Sequence, residues 1–249
     1  MQFDFILLAC IVVLSFSIIH AIEVTSFLSR LTGVILGKKS LAYSLQNAVF
    51  MLTRFFIMAL MPILGLIVDI GVNKDSYLIM VFCALLGASL LSVSVLLLRG
   101  KVIPAFEHIV NDSIKGKSLI FSLLKFPIYF FKSPNKLISI PSFDKVIKNK
   151  IFWFSGVVFC IYSVSTFIVF YFGLVFPDYR TSISQLSGIM NAFATVLLTF
   201  WIEPRISLEI DKEDNIEKSS EMILSLLVGR VFGVFLLSQT IIFCLWIAL

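Results

Sequence analysis

The sequence predicts an all-α polytopic membrane bundle of about six spanning helices, with both termini outside and an amphipathic cytoplasmic segment. Three observations predict it. Of 249 residues, 59% are hydrophobic, and the mean hydropathy is +1.03. Only 14% are charged, against roughly 25% in ordinary globular domains, too few to cover a soluble surface. Six apolar stretches reach the roughly 20 residues that a helix needs to cross about 30 Å of hydrocarbon. They run over about 2–23, 46–69, 77–98, 151–176, 182–202 and 221–247. The alternation of barrel strands is missing. No composition break divides the chain, so one transmembrane domain spans 1–249, with 99–150 a cytoplasmic or interfacial insertion within it.

The first stretch has no Lys or Arg ahead of its apolar run, so it reads as a retained helix rather than a cleaved signal. The following loop, 24–45, carries Arg30, Lys38 and Lys39. On the second stretch Asn47 and Arg54 are seven apart and share a helical face, and Pro62 and Gly65 offer a kink further along. The third stretch ends at the 99–150 segment, which holds ten basic residues. There Phe106, Ile109, Val110 and Ile114 approach helical spacing, as on a surface-lying amphipathic helix. Ser118 to Phe131 is apolar but too short to span and carries Lys125 and Pro127, which fits an interfacial or re-entrant helix. The fifth stretch has a polar stripe, Ser184, Gly188, Asn191 and Thr195, which lines either a cavity or a helix seam. The 203–220 loop adds Arg205, Lys212 and Lys218. Sixteen of the 20 basic residues thus fall in three loops on one side and two on the other. That bias puts the three loops in the cytoplasm and both termini outside.

Two arginines break the apolar rule. Arg54 lies about 12 Å deep and Arg230 about 14 Å deep, counted at 1.5 Å per residue from the cytoplasmic side. Charges at such depth face protein or water-filled cavities. Two planar guanidiniums at similar depth suit a phosphate or pyrophosphate; the structural alternative is snorkelling or an internal ion pair with Glu23. Gly229 and Gly233 flank Arg230 at the spacing that lets helices approach closely. The four cysteines all fall within spans and read as apolar packing residues. Gly33 to Ser40 imitates a phosphate-binding loop, but the spacing is one short and no strand precedes it. Nothing points to a cofactor, a metal or a nucleic-acid partner.

The residues His20-Ala-Ile-Glu23, Ser29-Arg30-Leu31-Thr32-Gly33-Val34, Gly37-Lys38, Ser44-Leu45-Gln46-Asn47, Thr53-Arg54, Pro62, Gly65 and Val68-Asp69 resemble the Amj (alternate to MurJ) family. Glu203-Pro204-Arg205-Ile206-Ser207 and Gly229-Arg230 extend the likeness. The resemblance covers about 20–70 and 195–240 well and the middle third poorly. It implies a non-enzymatic flippase for an undecaprenyl-pyrophosphate-linked glycan (lipid II), in the bacterial cytoplasmic (inner) membrane, serving peptidoglycan synthesis. Thr53-Arg54-Phe55-Phe56-Ile57 and Glu203 depart from the family pattern, which leaves an O-antigen or capsule glycan open as the cargo. In the implied mechanism Arg54 and Arg230 hold the pyrophosphate. Glu23, Arg30, Asn47, Lys38, Asn191 and Arg205 complete the candidate substrate-binding set, and the tail stays among membrane lipids. Six helices make a narrow enclosure for a large head group, which admits a homodimer or an open lateral groove. The competing classes are a membrane enzyme using Glu23, Asp69 or Glu203 as acid or base, and a non-transporting scaffold.

Overall fold

The computed structural model describes residues 2–136, 142–212 and 216–248, with the side chains of 2–4, 191 and 212 left aside. Among the described residues every regular element is helical, and six stretches are long and apolar enough to cross a membrane. The first is α1 (Gln2–Ile35). The second is α2 (Lys39–Met51) continued by α3 (Thr53–Ile70), and the third is α4 (Lys74–Leu97). Outside the spans lie α5 (Arg99–Ile114), α6 (Leu119–Leu124), α7 (Phe126–Lys132) and α8 (Phe143–Lys148). The fourth span is α9 (Lys150–Val175). The fifth joins α10 (Arg180–Leu197) to α11 (Glu203–Lys212) through a π turn at Leu198–Ile202. The sixth joins α12 (Ile216–Phe232) to α13 (Ser238–Ala248) through another at Gly233–Leu237.

Loop-to-loop contacts sort into two ends. At one end the Lys39 ammonium lies 3.5 Å from the Asp211 carbonyl, and Lys145 lies 3.9 Å from Glu217. At the other, Trp246 donates to Asp75 at 2.9 Å and Arg180 lies 3.9 Å from Asp69. The first is called the basic end below.

Several boundaries differ from the apolar stretches, always at a charge. α1 does not stop near residue 23 but runs on to Ile35, so Arg30 belongs to a helix and not to a loop. Its charges are tolerated because distant residues match them, as described below. Gly37, at φ 67°, takes the left-handed turn that starts the reversal into α2, so the phosphate-loop look-alike is a helix end. The second span continues through Pro62, and its break comes ten residues earlier, at Leu52. Glu203-Pro204-Arg205 opens α11 rather than lying in a loop; Pro204 has no N–H to donate to the preceding turn, and the helix widens into the π turn directly before it.

α1 is the hub, packed by α2, α3, α4, α5 and α12, while α9 carries α10 and α12. The α9–α12 contact rests on glycine. A Cβ on Gly233 would collide with the Gly156 carbonyl oxygen, and one on Gly229 with Ser155 Oγ and the Phe152 carbonyl. Gly233→Ala therefore forces the helices apart, at about 1–3 kcal/mol as for other overpacked cores. A lowered thermal midpoint of the purified protein checks this; an unchanged midpoint contradicts it.

α5 is not the surface-lying helix its spacing suggests. Phe106, Ile109 and Val110 are buried against α1 and the α6–α7 hairpin, and only Ile114 of that set is exposed. The second covered face comes from α6 and α7, which break at Lys125 beside Pro127. Their outer face shows Ile120, Phe121, Leu124 and Phe131, each about 70% exposed or more, as on an interfacial helix. Asp112 clasps the hairpin, accepting from Lys117 Nζ and Tyr129 Oη at 2.7 Å each. Those two hydrogen bonds hold the Asp112 carboxyl below the usual carboxylate value of 3.8, and Asp112 in turn raises the Lys117 ammonium. A depressed carboxyl stabilises above its unfolded pKa and loses that contribution as pH falls through the folded one. The raised ammonium adds nothing to this acid loss, since it stays charged there. The hairpin accordingly loosens below pH 3.8, and Asp112→Asn loosens it at neutral pH. Faster proteolysis at Lys117–Lys132 in that variant is the expected reading, and wild-type protection would refute the clasp.

Candidate functional site

Toward the basic end, α1, α2, α3, α9 and α10 surround a cleft of about 180 Å³. Helical spacing assembles its wall. Tyr43, Gln46, Asn47 and Phe50 follow i, i+3, i+4, i+7 on α2, and Arg54 comes one residue into α3. The floor is Val158, Phe159 and Tyr162 of α9, and the far wall is Ala194, Thr195, Leu198 and Thr199. The π turn then re-aims the chain, a common use of such turns at functional sites, and delivers Glu203 to the lining; Glu23 of α1 completes it.

Two arginine–carboxylate pairs border the cleft, each with its carboxylate on the cleft side. In the first, Arg230 Nη2 donates to Glu23 Oε2 and lies 2.9 Å from His20 Nδ1. Arg230, Glu23 and His20 are all buried, with the guanidinium 4.2 Å over the Phe159 ring. In the second, Arg30 Nη1 donates to Glu203 Oε2 at 2.5 Å and to Gln46 Oε1 at 3.1 Å, and Nη2 donates to Ser207 Oγ at 2.9 Å. Gln46 closes the ring by donating to Glu203 Oε1 at 3.1 Å. Three elements, α1, α2 and α11, are thereby tied together.

Arg54 is different. Among the described residues no hydrogen bond or ion pair reaches its guanidinium, which lies 5.9 Å over the Phe50 ring. Once Glu23 is matched by Arg230 and Glu203 by Arg30, the Arg54 charge is the one left over on the cleft wall. Hydroxyls, amides and aromatic faces make up most of the remaining surface, a lining that suits a hydroxyl-rich ligand with an anionic group.

The cleft is one of four cavities along a single seam. Beyond the Arg30–Glu203 ring lies a cavity of about 400 Å³ lined by Arg30, Lys39, Tyr43, Ser207 and Asp211. In the other direction, a void of about 20 Å³ between Ile57, Leu60, Tyr162 and Thr166 leads on. It is followed by a cavity of about 160 Å³ at the far end, lined by Gly65, Asp69, Gly173, Arg180, Thr181 and Ser184. Of the α10 polar stripe, Ser184 lines the far cavity and Thr195 lines the cleft.

Of the residues singled out in the sequence, Arg54, Asn47 and Glu23 line the cleft. Arg30 lies behind Glu203 and lines the neighbouring cavity. Arg54 and Arg230 are not brought together around one open space, because Glu23 occupies the position between Arg230 and the cleft. Lys38 is exposed in the α1–α2 turn, and Arg205 is exposed over the rings of Phe154 and Trp201 at 5.3 and 5.9 Å. Asn191 is on α10, and its side chain falls outside the described residues. Gln46, Tyr43 and Ser207 are not among the candidate substrate-binding residues read from the sequence. The signal for the first two was present, since with Asn47 and Phe50 they complete the face that ends in Arg54.

These features define a polytopic helical membrane protein whose spans enclose a polar seam. The chain belongs to the Amj family, alternate to MurJ, whose model matches residues 15–246. It is 24% identical over 209 residues to the lipid II flippase Amj of Bacillus subtilis (strain 168), which covers 78% of this chain and 76% of the relative. No solved structure matches.

Proposed function

We propose that this protein is a flippase that carries an undecaprenyl-pyrophosphate-linked glycan, lipid II, across the bacterial cytoplasmic membrane for peptidoglycan synthesis. The row of cavities that starts between α1, α2 and α11 and continues beside α3 and α9, with an arginine on its wall that has no counter-ion among the described residues, is the observation that supports this reading. The relative named as a lipid II flippase points to the same cargo. The basic end lies in the cytoplasm, following the distribution of Lys and Arg. There the basic loops gather the anionic lipid, Arg54 receives the pyrophosphate, and the amides and hydroxyls of the cleft receive the sugar. The tail remains in the bilayer, against the apolar outer face of α10 with Leu186, Ile189 and Phe193.

Size sets a condition on the mechanism. Pockets for drug-sized ligands run to roughly 300–1,000 Å³, and a glycan head group is no smaller, whereas this cleft measures about 180 Å³. The head group therefore passes only when α2–α3 and α10–α11 separate, with the Arg30–Glu203–Gln46 ring as the contact to be broken on the cytoplasmic side. An enzymatic role for the carboxylates fits less well, since Glu23 and Glu203 are each held by an arginine and Asp69 faces Arg180.

Rescue of a strain depleted of its lipid II flippases tests the proposal. Growth, together with lipid II reaching the outer leaflet, is the expected result. Failure to grow while the protein is abundant in the membrane would overturn it, and growth without outer-leaflet lipid II would point to a scaffold.

A further inference from the structure

The Glu23–Arg230–His20 cluster stays unused in a mechanism that asks only Arg54 to hold phosphate, and its geometry is costly. Three ionisable side chains are wholly buried within spans, where such groups mark ion or substrate sites by default. Among the described residues Arg230 uses only Nη2 for hydrogen bonding, and Nε and Nη1 are buried without a partner. His20 accepts the Arg230 donor at Nδ1, so its proton sits on Nε2, which is also buried without a partner among the described residues. Unmet guanidinium donors at such a site carry the cost of desolvation with no hydrogen bond in return, so this arrangement is better suited to a second acceptor than to a permanent structural tie.

Glu23 stands where that acceptor would have to pass, since its carboxylate lines the cleft and Arg230 does not. As long as Glu23 is ionised, an anion in the cleft faces a negative charge. Protonation reverses this. The carboxyl becomes neutral, the ion pair with Arg230 is lost, and the guanidinium is left with an uncompensated charge and four free N–H groups in a dry site. An anionic phosphate brought alongside Arg54 then supplies the missing charge.

We propose that Glu23 is a proton-exchange site that couples protonation to the binding of the substrate's phosphates, so that one proton enters with each lipid and leaves with it. The inference rests on the flippase reading above. In the step, a proton from cleft water bonds to a Glu23 carboxylate oxygen, and the phosphate replaces Glu23 as counter-ion to Arg230. When the phosphate leaves, the carboxyl returns its proton to water and recaptures Arg230. No redox change or covalent bond to the lipid is involved. Other groups bear on Glu23 from each element around it. His20 shares α1, and Arg230 faces Glu23 from α12. Tyr43 of α2, Arg54 of α3, Tyr162 of α9 and Glu203 at the head of α11 line the same cleft, and α10 offers no ionisable residue between Thr181 and Leu197. On α5, the ionisable side chains Arg99, Lys101, Glu107, His108 and Asp112 have contacts elsewhere. On α4 such groups are confined to Lys74, Asp75, Tyr77 and Cys83, in the half of the helix nearer the end opposite the basic one.

The test uses the full-length protein in detergent and a polyprenyl-diphosphate-linked N-acetylhexosamine, whose diester phosphates stay ionised across the neutral range. Affinity should rise as pH falls, by up to about tenfold per pH unit, the limit for one linked proton. Proton uptake measured in weak buffer should approach about one per lipid bound. Glu23→Gln, which imitates the protonated acid, should bind without pH dependence and take up no proton. The uptake measurement on wild-type protein decides the matter alone if that variant does not fold. Binding without proton uptake overturns the coupling and leaves the flippase reading standing. No binding at any pH overturns the flippase reading and this inference with it. Dependence that survives Glu23→Gln and disappears in His20→Asn moves the proton to the imidazole and overturns the assignment to Glu23.

Discussion

Arg54→Ala is expected to abolish transport while leaving the protein at normal abundance. Arg54 is exposed on the cleft wall and bonds to nothing else among the described residues, so its removal strands no partner and opens no core cavity. What it removes is the one cleft cation without a carboxylate of its own. Truncating one member of a desolvated, hydrogen-bonded charge pair costs about 2–5 kcal/mol, at least roughly thirtyfold in affinity. Arg54→Lys keeps the charge but loses the planar fork that takes two phosphate oxygens at once, and should fall between the two. Binding of a polyprenyl diphosphate to purified protein checks the series. Equal affinity in wild type and Arg54→Ala would remove Arg54 from the site.

The second large effect is expected at the opposite wall, and there it falls on stability first. Arg30→Met leaves Glu203 and Gln46 without their common donor, beside a half-buried Ser207 contact. Breaking a buried pair from one side costs about 3–5 kcal/mol, whereas replacing both members with apolar residues is often close to neutral. Arg30→Met alone should therefore lower the thermal midpoint and the yield. Arg30→Met combined with Glu203→Met should recover most of both without recovering transport, because the ring that opens and closes is gone. Simple addition of two losses would show that the residues do not act as a pair. A double variant with full transport would show that the ring is no gate.

The two arginine pairs also show where sequence reading succeeds and where it stops. The span count follows from hydropathy alone, because a run of about 20 apolar residues matches the thickness of the bilayer's hydrocarbon core. Arg54 stands out because an isolated charge in such a stretch is costly and demands a use. Arg30 does not, for a physical reason. Glu23 and Arg30 lower local hydropathy, so the first span looks finished near residue 23, while α1 continues to Ile35. Its charges are matched by Arg230 and Glu203, about two hundred positions away, which no local pattern reveals. α5 departs from its expected surface position for a related reason: its spacing shows one apolar face, and the cover on its other face comes from a hairpin that must be docked to be seen. The sequence leaves Arg230 open to either a ligand or an ion pair with Glu23, and the structure shows it paired with Glu23. Its unmet donors keep a ligand role alive only through Glu23.

The most direct test of the central claim, that the seam carries a pyrophosphate-linked glycolipid across the bilayer past Arg54, is transbilayer movement in proteoliposomes containing only this protein. Labelled lipid II placed in one leaflet should equilibrate to the other with wild-type protein and remain in place with Arg54→Ala reconstituted at the same density. Movement no faster than in empty vesicles, or equally fast with both proteins, would contradict the account.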